Sequence, residues 1–370
     1  MGVSDVGMLT FRSVVFLLGI FIIIGTCVSA IKTFVVPRGI SSPITRDVFR
    51  FVGFLFRLRV RNKGYEERDR IMAFFAPVTL VLMPVVLLAL ILIGYMLLYW
   101  AIEPRDIYPI FEISGSSLLT LGSEEVETTA SKILEFTEAT IGLILIALLI
   151  AYLPTMYSAF SARETAVSMW DARAGSPPTV VEMVARSYRT QELGNLRDEW
   201  ISWEIWFAQL EESHTSLAPL AFFRSPVPNR HWVTACGNVL DSAAFILTAV
   251  DVPFQPKAAF CVRSGFLALR QIADYFEIEY DPNPAKDDPI SISRFEFDEV
   301  YDNLATQGVP MNPDRESAWE NFCGWRVNYD TVILRLADMT MAPYASWISD
   351  RSAVSMQKEK TPKFFKIFRG

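Results

Sequence analysis

The fold is decided by a segment that reads Pro109-Ile110-Phe111-Glu112-Ile113-Ser114-Gly115-Ser116-Ser117-Leu118-Leu119-Thr120-Leu121-Gly122. It lies between two runs that contain no charged side chain, residues 71–102 and 139–162. Each run is long enough to cross the roughly 30 Å hydrocarbon core of a bilayer as a helix. The segment itself predicts a short helix with proline in its first turn, ended before glycine.

A third uncharged run, residues 13–31, precedes this pair. Across 370 residues, 51% are hydrophobic and only 20% are charged, so a wholly soluble or disordered chain is excluded. Val28-Ser29-Ala30 looks like a signal-peptide cleavage site, but the apolar run is longer than usual for a signal peptide and Lys32 follows it at once. We therefore expect three retained membrane helices.

Charge predicts the orientation of these helices. The loop from Lys32 to Arg70 contains ten Lys and Arg against four acidic residues, and positively charged loops stay in the cytoplasm. We expect a multi-pass protein of the inner (plasma) membrane, with the N-terminus outside and the C-terminal domain in the cytoplasm. Within the loop, residues 48–59 mix aromatic residues with arginines. This pattern predicts a helix that lies either on anionic headgroups or against the cytoplasmic domain.

The segment between the second and third runs is acidic. Residues 103–138 contain eight acidic and two basic residues, a net charge of −6. By composition alone this is a solvated loop, but acidic rings at a pore mouth also concentrate cations. A helix that dips into the membrane points its negative C-terminal end at the bilayer centre, and a following glycine lets the chain turn back with carbonyls exposed.

The order helix, Ser-x-x-Thr-x-Gly loop and helix resembles the pore-loop cation channels, the superfamily of potassium channels, over about residues 71–162. The resemblance implies a selectivity filter, an acidic pore mouth and a gating hinge on the inner helix. The filter is matched by Thr120, Leu121, Gly122 and Ser123. The pore mouth is matched by Glu124 and Glu125, and the hinge by Gly142 and Pro154.

Departures from the family pattern bear on selectivity. The potassium signature Thr-Val-Gly-Tyr-Gly is replaced by Thr120-Leu121-Gly122-Ser123-Glu124, which lacks the aromatic residue and the second glycine. A glutamate soon after the first glycine is closer to the weakly selective cyclic-nucleotide-gated channels. The resemblance implies a monovalent cation, K⁺ or Na⁺, as the permeant ion, with no cofactor. One loop per chain requires an oligomer, and a homotetramer is expected.

The remainder of the chain predicts an all-α cytoplasmic domain, with a basic aromatic tail at 358–369. The expected helices are Val180–Ser213, Arg230–Val250, Lys257–Phe276, Phe295–Gln307 and Glu316–Met341. This part is similar only to uncharacterised bacterial membrane proteins, which implies no activity. It is acidic, with 21 basic against 28 acidic residues in 161–370, so nucleic acid is not an expected partner.

Catalytic chemistry is hard to find in this domain. Four cysteines without CxxC spacing and two histidines form no metal motif. Three tryptophans lie on one flank of a predicted helix: Trp200, Trp203 and Trp206. They form either a stripe that binds a ligand or part of the core between two helices. Glu211 and His214 are three residues apart, so they could act as a general acid–base pair or form a structural hydrogen bond. We expect no enzyme, although these two residues keep a membrane-anchored enzyme as a third reading.

The sequence thus divides into a first membrane helix (1–37), a basic cytoplasmic or interfacial segment (38–70), a pore module (71–162) and a helical cytoplasmic domain (163–370). The preferred function is a potassium-channel-like, weakly selective cation channel that its helical domain gates or assembles. The alternative is a non-conducting anchored scaffold or sensor with a degenerate pore loop. Expected partners are lipids, further copies of the chain and an unidentified cytoplasmic ligand or protein.

Overall fold

The computed structural model describes residues 3–36, 42–60, 65–122, 126 and 128–350. Within these residues the chain is helical, with no strand beyond an isolated bridge between Val250 and Met311. Four helical segments are long and apolar enough to cross a membrane: Val6–Phe34, Glu67–Ile102, Thr129–Ala174 and Trp232–Ala249. The prediction of a helical protein with membrane-spanning potential is confirmed. The basic aromatic tail lies outside the described residues.

The chain forms two compact units, Met1–Leu55 with Phe74–Tyr157, and Phe56–Ala73 with Ser158–Gly370. The first six helices in chain order are α1 (Val3–Phe34), α2 (Pro43–Val60), α3 (Tyr65–Met72), α4 (Phe75–Ile102), α5 (Ile107–Leu118) and α6 (Thr129–Ala174). The others are α7 (Val180–Arg189), α8 (Arg197–Ser216), a 3-10 turn (Ala218–Phe222), α9 (Trp232–Ala249), α10 (Pro256–Tyr275), α11 (Arg294–Thr306), α12 (Arg315–Arg326) and α13 (Asp330–Thr340).

In the first unit, α1 and α4 pack closely through a pair of glycines. A Cβ added at Gly19 would lie 2.7 Å from the Gly94 carbonyl oxygen, and one at Gly94 would lie 2.6 Å from the Ile23 side chain. Small residues allow such close backbone approach between apolar helices. At one end of this pair, Arg12 donates hydrogen bonds to the carbonyls of Ala101 and Ile102, at 2.8 and 2.6 Å. These carbonyls belong to the last turn of α4, where no intrahelical donor remains.

The second unit is built around α9, which is buried along its whole length. Helices α7, α10, α12 and α13 pack against it. A helix that is apolar on all sides is either a membrane span or the core of a large domain, and here protein covers α9. The burial of α9 within protein explains why a fourth helix is long and apolar enough to cross a membrane, although the sequence predicted three membrane helices.

Two helices predicted from the sequence are each divided in the structure. The segment Val180–Ser213 breaks after α7, where Gln191 adopts a left-handed conformation with φ +62° and Leu193 turns back to the Ser187 carbonyl. The segment Glu316–Met341 breaks between α12 and α13, where Tyr329 precedes α13 with ψ near 0°. Neither break contains a proline, and the local turn signal in the first one, Gly194 with Asn195, is outweighed by the helix formers on both sides.

Candidate functional site

Helix α5 lies against α4 well before the end of α4. The Ser114 hydroxyl oxygen lies 3.2 Å from the Leu92 carbonyl oxygen. Leu92 is ten residues before Ile102, the last residue of α4, which corresponds to about 15 Å along the helix axis at 1.5 Å per residue. The middle of α5 is therefore about half a bilayer thickness from the end of α4.

The C-terminal end of α5 reaches a similar level on α6. A Cβ added at Gly142 would overlap the carbonyl oxygen of Leu118, the last residue of α5. Gly142 is thirteen residues after Thr129, where α6 begins, or about 20 Å along the axis. The absence of a side chain at Gly142 is what permits this contact. The sequence resemblance assigned Gly142 to a hinge, and the structure gives the residue a packing role in addition.

The turn after α5 has an unusual conformation. Leu121 N–H donates to the Ser116 carbonyl at 2.8 Å and Thr120 N–H donates to the Ser117 carbonyl at 3.0 Å, which is the Schellman pattern of helix termination. Its left-handed position, normally a glycine, is occupied by Thr120 with φ +56°. A β-branched residue is strained in this region. Gly122 is also left-handed, with φ +66°.

Three of the predicted filter residues are therefore contiguous in one exposed turn. Thr120, Leu121 and Gly122 are all exposed in the single chain, and 69% of the Leu121 surface is accessible. The Thr120 hydroxyl donates to the Leu119 carbonyl at 2.7 Å. The turn thus presents a hydroxyl oxygen and backbone carbonyls, which are the ligands that alkali cations accept in selectivity filters.

Other predicted site residues have different surroundings. Ser123, Glu124 and Glu125 lie outside the described residues. Pro154 lies inside α6, which continues as one helix to Ala174. The proposed roles of these residues, and the hinge roles of Gly142 and Pro154, stay predictions.

A buried polar cluster behind the turn was missed by the sequence analysis. Glu138 of α6 is fully buried, and its Oε1 accepts a hydrogen bond of 2.6 Å from Ser114. Its Oε2 and the Tyr99 hydroxyl are also buried; these two groups interact with each other, but neither makes a hydrogen bond of good geometry among the described residues. Glu138 was counted only as one of eight loop acids. Its position directly before the uncharged run 139–162 was the signal that it lies within a membrane helix.

The second unit contains a buried ionic network whose hydrogen bonds, unlike those of the Glu138 cluster, are complete. Arg326 is fully buried and donates to both oxygens of Asp241, at 2.6 and 2.7 Å, and to Asp330 at 2.7 Å. Its remaining nitrogen donates to the Trp347 carbonyl, and the Tyr329 hydroxyl donates to Asp241 at 2.8 Å. Every charged group in this network has a close partner, as a buried structural network requires.

The two features singled out in the C-terminal domain are largely buried and make contacts within the domain. Trp200, Trp203 and Trp206 are buried, and the indole N–H groups of the first two are bonded to Gln255 and Glu199. His214 is fully buried, with Nδ1 3.0 Å from the Leu210 carbonyl and Nε2 3.4 Å from Arg163. Burial, reinforced by the Arg163 charge, lowers the pKa of His214 well below its usual value. These contacts occupy the imidazole and do not include Glu211.

Helix α3 is attached to the rest of the second unit by a nearly buried arginine. Arg224 donates to Asp69 of α3 at 2.8 Å, and to the carbonyls of Met341 and Thr340 at 2.9 and 2.8 Å. Only 7% of the Arg224 side chain is exposed. Two residues separate α3 from α4, so this contact fixes α3 within the second unit shortly before the chain enters α4.

Comparison of the chain with protein-family models, with curated proteins and with solved structures finds no match in any of the three. Function is therefore argued from the geometry above.

Proposed function

We propose that the chain is the subunit of an oligomeric cation channel. In this proposal α1, α4 and α6 span the membrane, α5 is a re-entrant pore helix, and α9 is the core of the cytoplasmic domain. The observation that carries the proposal is the depth of α5: its C-terminal end contacts Gly142, about 20 Å along α6. Helix and turn at that level are tolerated in a bilayer only where protein or a wet cavity surrounds them.

The end of α5 supports the same conclusion. The negative end of its helix dipole lies at this level, next to the turn at Thr120 and Gly122. A helix C-terminus with exposed carbonyl oxygens beside it favours a cation.

The exposed turn also favours an oligomer. Leu119, next to the predicted filter, and Leu121, within it, are large apolar residues that are exposed in the single chain. Further copies around a closed symmetry axis would cover them and bring the Thr120 and Gly122 oxygens into rings. A homotetramer is the expected assembly, by resemblance to the pore-loop channels. Glu124 and Glu125 would form the acidic mouth, and K⁺ or Na⁺ would be the permeant ion with weak selectivity.

The proposed orientation follows the basic loop between α1 and α4, which stays in the cytoplasm of a cell with an inner membrane. The helical domain is then cytoplasmic. The contact of Arg224 with Asp69 supports a role of that domain in gating, because movement of the α13 end would be transmitted to α3. A cytoplasmic ligand stays a prediction, and a groove of about 880 Å³ that includes Trp319, Trp325 and Arg263 could accommodate one.

The test is cation flux through purified full-length protein in liposomes. We expect K⁺ and Na⁺ currents, and no comparable chloride current. Thr120→Val removes the filter hydroxyl at nearly constant volume, so it should change conductance or the K⁺/Na⁺ permeability ratio by about threefold or more. Thr140→Val is the matched control, because the Thr140 hydroxyl bonds within its own helix to Phe136.

Two results would contradict the channel. The first is well-folded protein that carries no current in several lipid and voltage conditions. The second is a mass measurement in detergent and in lipid discs that finds only monomers or dimers. Either result would favour the alternative of a non-conducting anchored scaffold or sensor.

A further inference from the structure

One face of α2 is apolar and exposed. Phe51, Phe54, Leu55 and Leu58 each have between 46% and 59% of their surface accessible. Their spacing, i, i+3, i+4 and i+7, places them on one face of the helix. Other positions of the same helix, Val52 among them, are buried. Thus α2 is packed against protein on one side and bare on another, and we call the four exposed residues the apolar stripe.

The N-terminal half of α2 lies level with the ends of two membrane-spanning candidates. Ser42 hydrogen bonds to Ser29, and Thr45 hydrogen bonds to Thr33 at 2.7 Å, near the last residue of α1. The Phe49 ring packs against Phe75, the first residue of α4, with centroids 6.1 Å apart. A helix at this level, between the ends of two apolar helices, is where the boundary between bilayer and water is expected.

Arginines border the apolar stripe. With successive residues about 100° apart around the helix, Arg46 and Arg50 fall together on one flank of the stripe, and Arg59 falls on the opposite flank. The Nε–H groups of Arg46 and Arg50 are buried and have no acceptor among the described residues. Arg50 does bond through Nη1 to Asp47, at 3.4 Å. Each Nε–H is thus a donor that no acceptor among the described residues fills.

We propose that α2 binds an anionic phospholipid, with the headgroup phosphate on Arg46 and Arg50 and the acyl chains along the apolar stripe. A phosphate oxygen would accept charge-assisted hydrogen bonds from the two guanidinium groups. The apolar stripe favours a lipid over a soluble anion, and the helix carries four arginines against one aspartate, which favours a negatively charged headgroup. This inference is independent of whether the chain conducts ions.

The experiment measures thermal unfolding of the full-length protein in neutral detergent by tryptophan fluorescence. Phosphatidylglycerol should raise the Tm by about 3 °C or more, and phosphatidylcholine by about 1 °C or less. Inorganic phosphate at the same concentration should leave the Tm unchanged. Arg46→Gln and Arg50→Gln should each weaken the apparent affinity for phosphatidylglycerol about tenfold. Arg59→Gln makes the same charge change on the other flank and should weaken it less than about threefold.

Several outcomes would overturn the proposal. Equal Tm shifts with both lipids would mean that α2 does not distinguish headgroups. A loss with Arg59→Gln as large as with Arg46→Gln would reduce the effect to net charge. A shift produced by inorganic phosphate alone would exclude a lipid site. Finally, if Phe54→Ser with Leu58→Ser leaves the phosphatidylglycerol affinity unchanged but lowers the oligomeric mass, the stripe contacts another copy of the chain.

Discussion

The two buried carboxylates Glu138 and Asp241 have opposite surroundings. Both oxygens of Asp241 are bonded by Arg326, and one of them also by Tyr329. Glu138 has Ser114 on one oxygen, while the other oxygen interacts with the Tyr99 hydroxyl without a hydrogen bond of good geometry within the described residues. Complete satisfaction is typical of a network that specifies a fold, and incomplete satisfaction is typical of sites kept for function. The difference distinguishes the ionic network of the helical domain from the polar cluster around α5.

The largest expected effect comes from breaking the satisfied network. Arg326→Ala leaves Asp241 and Asp330 as buried acids without their cation, which should lower the free energy of unfolding by about 3–5 kcal/mol. Chemical denaturation of the full-length protein measures this. The control is Arg315→Ala, which removes an exposed ion pair with Asp302 and should cost about 1 kcal/mol or less. Equal effects of the two variants would contradict the assigned role of the network.

The next effect tests the packing of the α5 turn. In Gly142→Ala the new methyl group would overlap the Leu118 carbonyl oxygen, so α5 must shift, at a cost of about 1–3 kcal/mol. Gly25→Ala is the control, because a Cβ there meets no atom within 4 Å. Thermal unfolding and protease cleavage between α5 and α6 report the change. If Gly142→Ala behaved like Gly25→Ala, the close contact between α5 and α6 would be wrong.

A third prediction concerns pH and sharpens the description of the helical domain. Burial is the main cause that lowers the pKa values of His214 and His231 well below 6.5. The unfolded chain therefore binds protons that the folded chain excludes, and stability falls as the pH drops below about 6.5. Between pH 7.5 and 5.5 each histidine should contribute a loss of about 1.4 kcal/mol.

His231→Asn isolates one of these contributions. The His231 side chain caps α9 by accepting from Val233 N–H, and asparagine is also a good N-cap residue. The variant should lose about 1.4 kcal/mol less than the unmodified protein over the same pH range. Denaturant unfolding at several pH values measures the slope. An unchanged slope would mean that His231 protonates freely in the folded state.

The smallest effect has the opposite sign. Thr120→Gly places glycine at the left-handed position of the turn, where it has no steric penalty, and should stabilise the protein by about 1 kcal/mol. Thr155→Gly is the control within α6, where glycine should be destabilising by a similar amount. A gain in Tm together with altered cation flux would identify Thr120 as a residue retained for function at the expense of stability. Destabilisation by Thr120→Gly would contradict the strained conformation.

The sequence predicted the apolar helices and the short helix at α5, because hydropathy, proline at the helix start and glycine at its end are local signals. It did not predict that Thr120 adopts the left-handed conformation, because intrinsic preferences disfavour it in a β-branched residue. Nor did it reveal the pairing of Asp241 with Arg326, which are 85 residues apart. The burial of Glu138 also depends on tertiary packing, although its place beside the uncharged run 139–162 is a local signal, as Gly194 and Asn195 are for the break between α7 and α8.

The contact of Arg12 with α4 has a consequence for how the protein is made. The carbonyls that accept from Arg12 belong to residues synthesised 89 and 90 positions later. Under the proposed topology, α1 reaches the bilayer before these partners exist, with the Arg12 guanidinium at its outer end in contact with water or headgroups. The pairing of α1 with α4 is therefore completed only after α4 has been inserted.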